Sequence, residues 1–199
     1  MSGRRNNTRE DGNRQAIDIL YPGSDEATVE IDIIAVHGLG SNVDWSWTWK
    51  DKSNPDFTAH WLKDPHMLPA IIPNARILAY NYDSQWHIDA PKTRLQICGE
   101  ELIRSVNNIR DGTNNRPLIF IGHSLGGLVI QHGLLFANTP RYNALLKQTI
   151  GFVALGVPFR GSEMQTHASY AASFLSPFGS DTGIIQSLSY DNPYLRDKL

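Results

Sequence analysis

The sequence has little cysteine, no long apolar stretch and no surplus of charge, and each shortage excludes a class of protein. Its single cysteine, Cys98, cannot form an internal disulfide, so a disulfide-stapled secreted fold has no support. Its 18 basic and 20 acidic residues leave a net charge of −2, which argues against nucleic acid as a partner. No segment reaches the roughly 18 apolar residues that a membrane-spanning helix requires.

The N-terminus also lacks an apolar segment. Residues 1–14 carry four arginines among Asn, Gly and Thr, a composition that predicts a disordered tail and not a secretory signal. Residues 15–199 are predicted to form one globular domain, since 41% of the chain is apolar and 19% is charged. We therefore expect an intracellular, cytoplasmic protein. Membrane association stays open, because a fragment can lack its targeting signals.

Short apolar runs alternate with helix-like patterns along this domain. Strands are predicted over residues 17–21, 28–36, 76–82, 118–121 and 150–155, and helices over 59–63, 92–109 and 125–137. In the second strand, Glu30 and Asp32 alternate with apolar residues, which predicts a half-exposed face at that end. Strands that alternate with helices indicate right-handed crossovers and a mainly parallel sheet with helices on both faces.

The strongest motif is Gly122-His123-Ser124-Leu125-Gly126-Gly127, which directly follows a predicted buried strand and directly opens an apolar helix. This strand–turn–helix setting is typical of a nucleophile elbow, in which a strained turn holds the serine hydroxyl clear of the sheet. The glycines leave room where strand and helix meet. The alternative interpretation is that Ser124 only caps the helix and the glycines only form a tight turn.

A glycine-rich loop, His37-Gly38-Leu39-Gly40, follows an earlier strand of the predicted sheet. Acyl transfer requires two N–H donors for the oxyanion. The elbow supplies one from Leu125, with the helix dipole behind it, and the loop can supply the other from Leu39. An ordinary glycine turn is the alternative interpretation of this loop.

Over about residues 29–165 the chain resembles the lipase-like branch of the α/β-hydrolases. That branch includes the serine active site-containing protein, the GPI-inositol deacylase-like lipases and the serine-esterase-type N-terminal domains of fungal NACHT and NB-ARC receptors. The resemblance implies an α/β-hydrolase fold and a serine hydrolase that acts on carboxylic esters, lipids among them. It implies that Ser124 is the nucleophile and that the Leu39 and Leu125 amides form the oxyanion hole. The segments that carry it are Val36-His37-Gly38-Leu39-Gly40, Tyr80-Asn81-Tyr82-Asp83, residues 121–127, and Leu155-Gly156-Val157-Pro158-Phe159-Arg160-Gly161-Ser162.

Two departures from the family pattern bear on activity. The family has Thr-Pro-His-Arg-Gly where this sequence has Val157-Pro158-Phe159-Arg160-Gly161, and we interpret the missing histidine as structural. The acid and histidine of the family lie beyond the region of resemblance. We therefore expect residues 15–199 to be an incomplete, N-terminal part of the domain, with an exposed sheet edge and little activity alone.

Within the chain, the candidates for catalytic acid or base are Asp83, His87 and His167, with Asp181 a weaker candidate acid. His167 precedes Asp181, the reverse of the usual serine, acid, histidine order. His37 and His123 flank the motifs and are expected to hydrogen-bond locally, not to act as the base.

The remaining residue types indicate neither a metal nor a cofactor. No pair of histidines has metal-ligand spacing with a carboxylate partner. Trp45, Trp47 and Trp49 follow the glycine-rich loop and either line an acyl pocket or gate, or belong to an edge strand or interface. Cys98 is expected to be a small buried apolar residue.

Two other functions stay open at this point. The domain could be a signalling or interaction module that precedes NACHT, NB-ARC or repeat domains in a longer protein. It could also be a truncated, inactive hydrolase, for which the phenylalanine at position 159 and the end of the chain at Leu199 are the arguments.

Overall fold

The computed structural model describes residues 16–22, 29–54, 56–84, 91–110 and 115–159. The predicted tail over residues 1–14 lies outside these ranges. The strands are Ile17–Tyr21 (β1), Ile31–Val36 (β2), Thr48–Lys50 (β3), Thr58–His60 (β4), Ala75–Tyr80 (β5), Leu118–His123 (β6) and Thr149–Leu155 (β7). The helices are Val43–Trp47 (α1), Leu68–Ile71 (α2), Pro91–Ile109 (α3), Leu125–Ala137 (α4) and Asn143–Gln148 (α5).

Five of the strands form one sheet in the order β1-β5-β2-β6-β7. The last four in this order are mutually parallel, and β1 runs antiparallel to β5 at the edge. Val36 lies opposite Gly122 in the register of β2 and β6. The two central strands therefore end side by side, which brings the loop after β2 to the turn after β6.

Alternate residues of the central strands face opposite sides of this sheet, as the pleat of a strand requires. Ile34 and Val36 join the core that α3, α4 and α5 cover. Ile33 and Ala35 join a second core, which contains side chains from α1 and α2. The predicted mainly parallel sheet with helices on both faces is thereby confirmed.

Helices α3 and α4 approach each other closely at a pair of glycines. A Cβ atom added at Gly99 would lie 2.6 Å from the backbone nitrogen of Gly133, a distance that no real side chain tolerates. The Cys98 side chain is buried in the same core, as predicted. The two glycines therefore let the α4 backbone settle over the sheet and beside α3.

The helix predicted over residues 59–63 is wrong. Residues 58–60 are strand β4, which pairs with β3 in a separate two-stranded ribbon, and Trp61 begins a turn. The Trp61 amide donates to the Trp47 carbonyl over 3.0 Å. The helix-like spacing of the apolar residues here therefore comes from the end of a strand followed by a turn. Strand β5 is also shorter than predicted and ends at Tyr80.

The half-exposed position predicted for Asp32 is wrong as well, because its side chain is fully buried. Its carboxylate accepts from Arg76 at 2.7 and 3.2 Å, from Arg116 at 3.2 Å and from Arg110. Arg110 also donates to Gln148 over 2.8 Å. A charge can be buried when it is paired and hydrogen-bonded in this way, so the polar residue in the alternating pattern belongs to the interior.

Strand β7 lies at the edge of the sheet within the described ranges. It exposes three apolar side chains, Ile150, Val153 and Leu155. After it, Val157 contacts the start of α4 at Gly127, where an added Cβ atom would overlap the valine. The Phe159 ring meets Phe152 edge-to-face, with their centroids 5.8 Å apart.

Candidate active site

Ser124 occupies a one-residue turn between β6 and α4. Its backbone angles, φ 51° and ψ −125°, lie in a region that residues with a side chain rarely adopt and that concentrates at functional sites. The Ser124 amide donates to the Leu155 carbonyl over 2.9 Å. Its side chain makes no capping hydrogen bond to α4, which is an observation against the interpretation of Ser124 as a helix cap.

The glycines around Ser124 are required by close backbone contacts. A Cβ atom at Gly126 would overlap the carbonyl oxygens of Val36 and His37, and one at Gly122 would lie 2.6 Å from the Cα of Gly127. Helix α4 can therefore begin directly against the end of β2. This packing brings the first turn of the helix to the glycine-rich loop.

That loop, residues 37–41, lies against the serine. A Cβ atom added at Gly38 would lie 3.1 Å from the Ser124 Cβ.

The segment after β5 holds the loop in place through Tyr82 and Ser84. The Tyr82 hydroxyl donates to the His37 carbonyl over 3.0 Å. The Gly40 amide donates to the Ser84 carbonyl over 3.1 Å, and the Ser84 hydroxyl donates to the Ser41 carbonyl over 2.8 Å.

One of the two expected oxyanion donors belongs to the residue after Ser124, and the other belongs to the residue after Gly38. Leu125 is the first residue of α4, and its N–H has no carbonyl partner within the helix. The Leu39 N–H lies in the loop. In the described part of the chain, neither amide donates to a backbone or side-chain acceptor. Within the described residues, both N–H groups are therefore without a protein acceptor.

The two histidines that flank the site differ in environment. His37 is buried, its Nδ1 donates to the Gly38 carbonyl over 2.9 Å, and its ring stacks on Tyr82. Burial lowers the pKa of His37, although the bond to Gly38 opposes this effect. His123 is exposed on one side and meets Trp47 edge-to-face at 6.3 Å, and partial desolvation lowers its pKa.

The described residues bring no acid or base into hydrogen-bond contact with Ser124. Asp83 is exposed and follows β5, which β2 separates from β6. The ends of β5 and β6 are two strand spacings apart, which is about 10 Å. His87 and His167, the other candidates, lie outside the described residues, and so does Asp181.

The three tryptophans do not form one cluster. Trp47 is buried beside His123 and Trp61, whereas Trp45 is 73% exposed. Trp49 is exposed on the β3–β4 ribbon, where its ring meets Phe57 at 6.0 Å. Trp47 therefore lies beside the residue that precedes Ser124, and Trp49 fits the edge-strand interpretation.

Tyr82 and Ser84 are the residues of the site that sequence reasoning missed. Tyr82 was assigned to the end of a strand, although it lies in the loop that follows β5. The alternation of Tyr80 and Tyr82 around Asn81 was the available signal. It does not indicate that the second tyrosine turns toward the loop after β2.

Within the described ranges, no three His, Cys, Asp or Glu side chains converge as a metal ligand set. None of the helices in the same ranges combines the length and apolarity needed to cross a bilayer.

The sequence matches one described family and several curated proteins. A family described as "Putative serine esterase (DUF676)" matches residues 33–187. Protein SERAC1 of Danio rerio is 30% identical over 187 residues, and that of Homo sapiens is 27% identical over 184. These matches cover 85% and 84% of this chain but 27% of each relative. The chain thus spans about a quarter of the length of the curated relatives that it matches.

Solved structures with the same arrangement are lipases. The mature form of the Bacillus licheniformis lipase BlEst2 matches with a TM-score of 0.58 and 19% identity, over 94% of this chain and 66% of that one. Its propeptide form matches with a TM-score of 0.54 and 20% identity, over 94% and 36%. At these identities the likeness shows the fold, and it confirms the predicted α/β-hydrolase fold. With its family model matched over most of its length, this chain belongs to the putative serine esterase family DUF676.

Proposed function

We propose that this domain hydrolyses carboxylic esters, lipid esters among them, through an acyl-enzyme on Ser124. The observation that carries the proposal is the contact between the strained Ser124 turn and the glycine-rich loop, where a Cβ atom at Gly38 would come within 3.1 Å of the serine Cβ. A carbonyl carbon next to the Ser124 hydroxyl would have its oxygen beside two unused N–H groups. Family membership supports the same reaction class.

In the proposed reaction, the Ser124 Oγ attacks the ester carbonyl while a base takes its proton. The Leu39 and Leu125 N–H groups hold the negative oxygen of the tetrahedral intermediate. The alcohol leaves with a proton from the base. Water then hydrolyses the acyl-enzyme and restores the serine.

A base and its acid partner complete the proposed reaction. We assign the base to His87, to His167 or to a histidine farther along the protein, and we retain Asp83 as a candidate acid. Separate His87→Ala and His167→Ala variants test these assignments. A fall in p-nitrophenyl butyrate turnover of at least about 10³-fold in one variant identifies the base. Unchanged turnover in both variants would exclude His87 and His167 as the base.

The nucleophile is tested by labelling with a fluorophosphonate. The probe should label the protein, and Ser124→Ala should abolish the label. Ser53→Ala changes an exposed serine far from the elbow in sequence and should keep the label. Equal labelling of Ser124→Ala and the unsubstituted protein would contradict the assignment. Absence of label from a folded, unsubstituted protein would instead favour an inactive hydrolase or an interaction module.

A further inference from the structure

We propose that Tyr82 is a positioning residue for the oxyanion hole and that it acts through His37 on the Gly38–Leu39 peptide. The proposal rests on the proposed function, because it assigns a purpose to the Leu39 N–H only if Ser124 performs acyl transfer. Tyr82 is proposed to act on the oxyanion hole through His37, with no direct role at the reacting atoms. Its effect passes through two contacts, and each can be removed separately.

The first contact fixes His37. The Tyr82 and His37 rings are stacked, with centroids 4.6 Å apart and planes inclined by 16°. The Tyr82 hydroxyl donates to the carbonyl of the same histidine over 3.0 Å. One tyrosine thus holds both the ring and the main chain of His37. Burial raises the pKa of Tyr82 well above its ordinary value, so its hydroxyl remains a donor.

The second contact fixes the next peptide. The His37 Nδ1 lies 2.9 Å from the Gly38 carbonyl oxygen, which can only accept, so Nδ1 carries the proton. The Gly38 carbonyl and the Leu39 N–H belong to one planar trans peptide and point in opposite directions. The imidazole therefore directs the Leu39 N–H away from itself.

Glycine makes such a contact necessary. Gly38 has no side chain to restrict its backbone, so the peptide between residues 38 and 39 can turn over at little steric cost. The loop must nevertheless remain close to the serine, where any side chain at position 38 would press on Ser124. A hydrogen bond from a buried, stacked histidine supplies the orientation that glycine cannot. Preorganised donors of this kind stabilise an oxyanion without reorganisation during the reaction.

Inactivation by a fluorophosphonate tests the oxyanion hole, because the phosphonyl oxygen of the probe occupies the oxyanion position. The maximal inactivation rate reports how well the N–H donors are positioned, and the inhibitor concentration for half-maximal rate reports binding. Removal of an oxyanion donor costs about 10²–10³-fold in rate, and a donor that is present but unrestrained should cost less. We expect Tyr82→Phe, which keeps the ring but loses the hydroxyl, to lower the maximal inactivation rate about tenfold. The inhibitor concentration for half-maximal rate should change less than about twofold.

Tyr80→Phe is the matched control. The Tyr80 hydroxyl donates to the Cys98 carbonyl over 3.2 Å, and its ring stacks on Tyr82 at 5.5 Å. This variant therefore loses a hydrogen bond of the same kind from the same stack, at a site away from the loop. Its inactivation rate should stay within about twofold of the unsubstituted protein.

Substitution of His37 tests the second contact independently. His37→Asn keeps a donor near the Nδ1 position, whereas His37→Leu has a similar shape and no donor. The asparagine variant should inactivate at least about fivefold faster than the leucine variant. Equal rates for this pair, or for Tyr82→Phe and Tyr80→Phe, would overturn the proposal. Label that persists in Ser124→Ala would instead overturn the proposed function itself.

Discussion

Gly38 and Ser124 lie so close that a side chain on the first would touch the second. A Cβ atom at position 38 would be 3.1 Å from the Ser124 Cβ and 3.4 Å from the His123 Nδ1. The first of these separations is tighter than ordinary van der Waals contact, and a branched side chain would extend further into the space beside the hydroxyl.

We therefore expect Gly38→Val to lower fluorophosphonate labelling and ester turnover by at least about 100-fold, a loss comparable to that of one oxyanion donor, while the protein stays folded by circular dichroism. Gly151→Ala is the control, because its Cβ would meet Ile119 at 3.5 Å, which is ordinary contact. Full activity of Gly38→Val would show that the loop lies away from the reacting groups. Leu39→Ala should be mild, since Leu39 is proposed to act through its backbone.

The buried carboxylate of Asp32 makes a second prediction, on stability. Asp32→Asn would leave Arg76, Arg110 and Arg116 without the charge that they share. Removal of one partner from a buried ion pair costs about 3–5 kcal/mol, so the free energy of unfolding in urea should fall by about that amount.

An exposed ion pair provides the comparison. Asp44 accepts from Lys63 over 3.3 Å at the surface, where such pairs contribute at most about 1 kcal/mol. Asp44→Asn should therefore change the urea midpoint only slightly. Equal losses from Asp32→Asn and Asp44→Asn would mean that the arginine cluster is not a stabilising centre.

The elbow and its helix could be predicted because their signals are local. Helix α4 runs from Leu125 to Ala137, as the apolar run after the motif indicates, and α3 begins one residue before its predicted start. In both, the pattern that defines the helix and the residues that begin it lie within one continuous segment. The turn at Ser124 and the helix after it therefore follow from a few adjacent residues.

The misassigned parts depend on partners distant in the chain. Strand β4 has three residues, too few to show an alternation of apolar and polar side chains. It is a strand because it pairs with β3. Asp32 is buried because its arginines, 44 to 84 residues away, come to it. The contact of Tyr82 with His37 spans 45 residues. None of these partnerships can be seen in a local pattern of apolar and polar residues.

Burial of histidines predicts a dependence of stability on pH. Desolvation lowers the pKa of His37, and it is also the main cause of the lowered pKa of His60, with the Lys63 charge adding to it. Both histidines then bind protons less readily in the folded protein than in the unfolded chain, whose histidines titrate near 6.5. The free energy of unfolding should consequently fall as the pH drops below about 6.5.

His60 offers a direct test, because it is buried and neither ring nitrogen has a hydrogen-bond partner among the residues that the structure describes. His60→Leu should flatten the fall in stability between pH 7.5 and 5.5, as measured by urea unfolding at intervals of half a pH unit. A slope identical to that of the unsubstituted protein would show that His60 takes no part in the acid sensitivity.

The single cysteine gives a prediction about reactivity. Burial within the α3–α4 core raises the pKa of the Cys98 thiol to about 11, against about 8.5 for a free thiol. At pH 8 the native protein should react with iodoacetamide at least about 100-fold more slowly than the protein in urea. Mass spectrometry of the carboxamidomethylated chain measures both rates, and comparable rates would place the thiol at the surface.

The position of Asp32 within the sheet also bears on how the strands find their alignment. Asp32 lies directly opposite Arg76 on β5 and opposite Leu118 on β6. If β5 slid by two residues, its inward and outward side chains would keep their faces, so hydrophobic burial alone would discriminate weakly between the two alignments. Asp32 would then sit opposite Asn74 or Leu78, and its charge would lose its nearest guanidinium. The Asp32–Arg76 pair forms in only one of these alignments, so it favours the native register of β2 and β5. This register in turn sets where the segment after β5 meets the loop after β2.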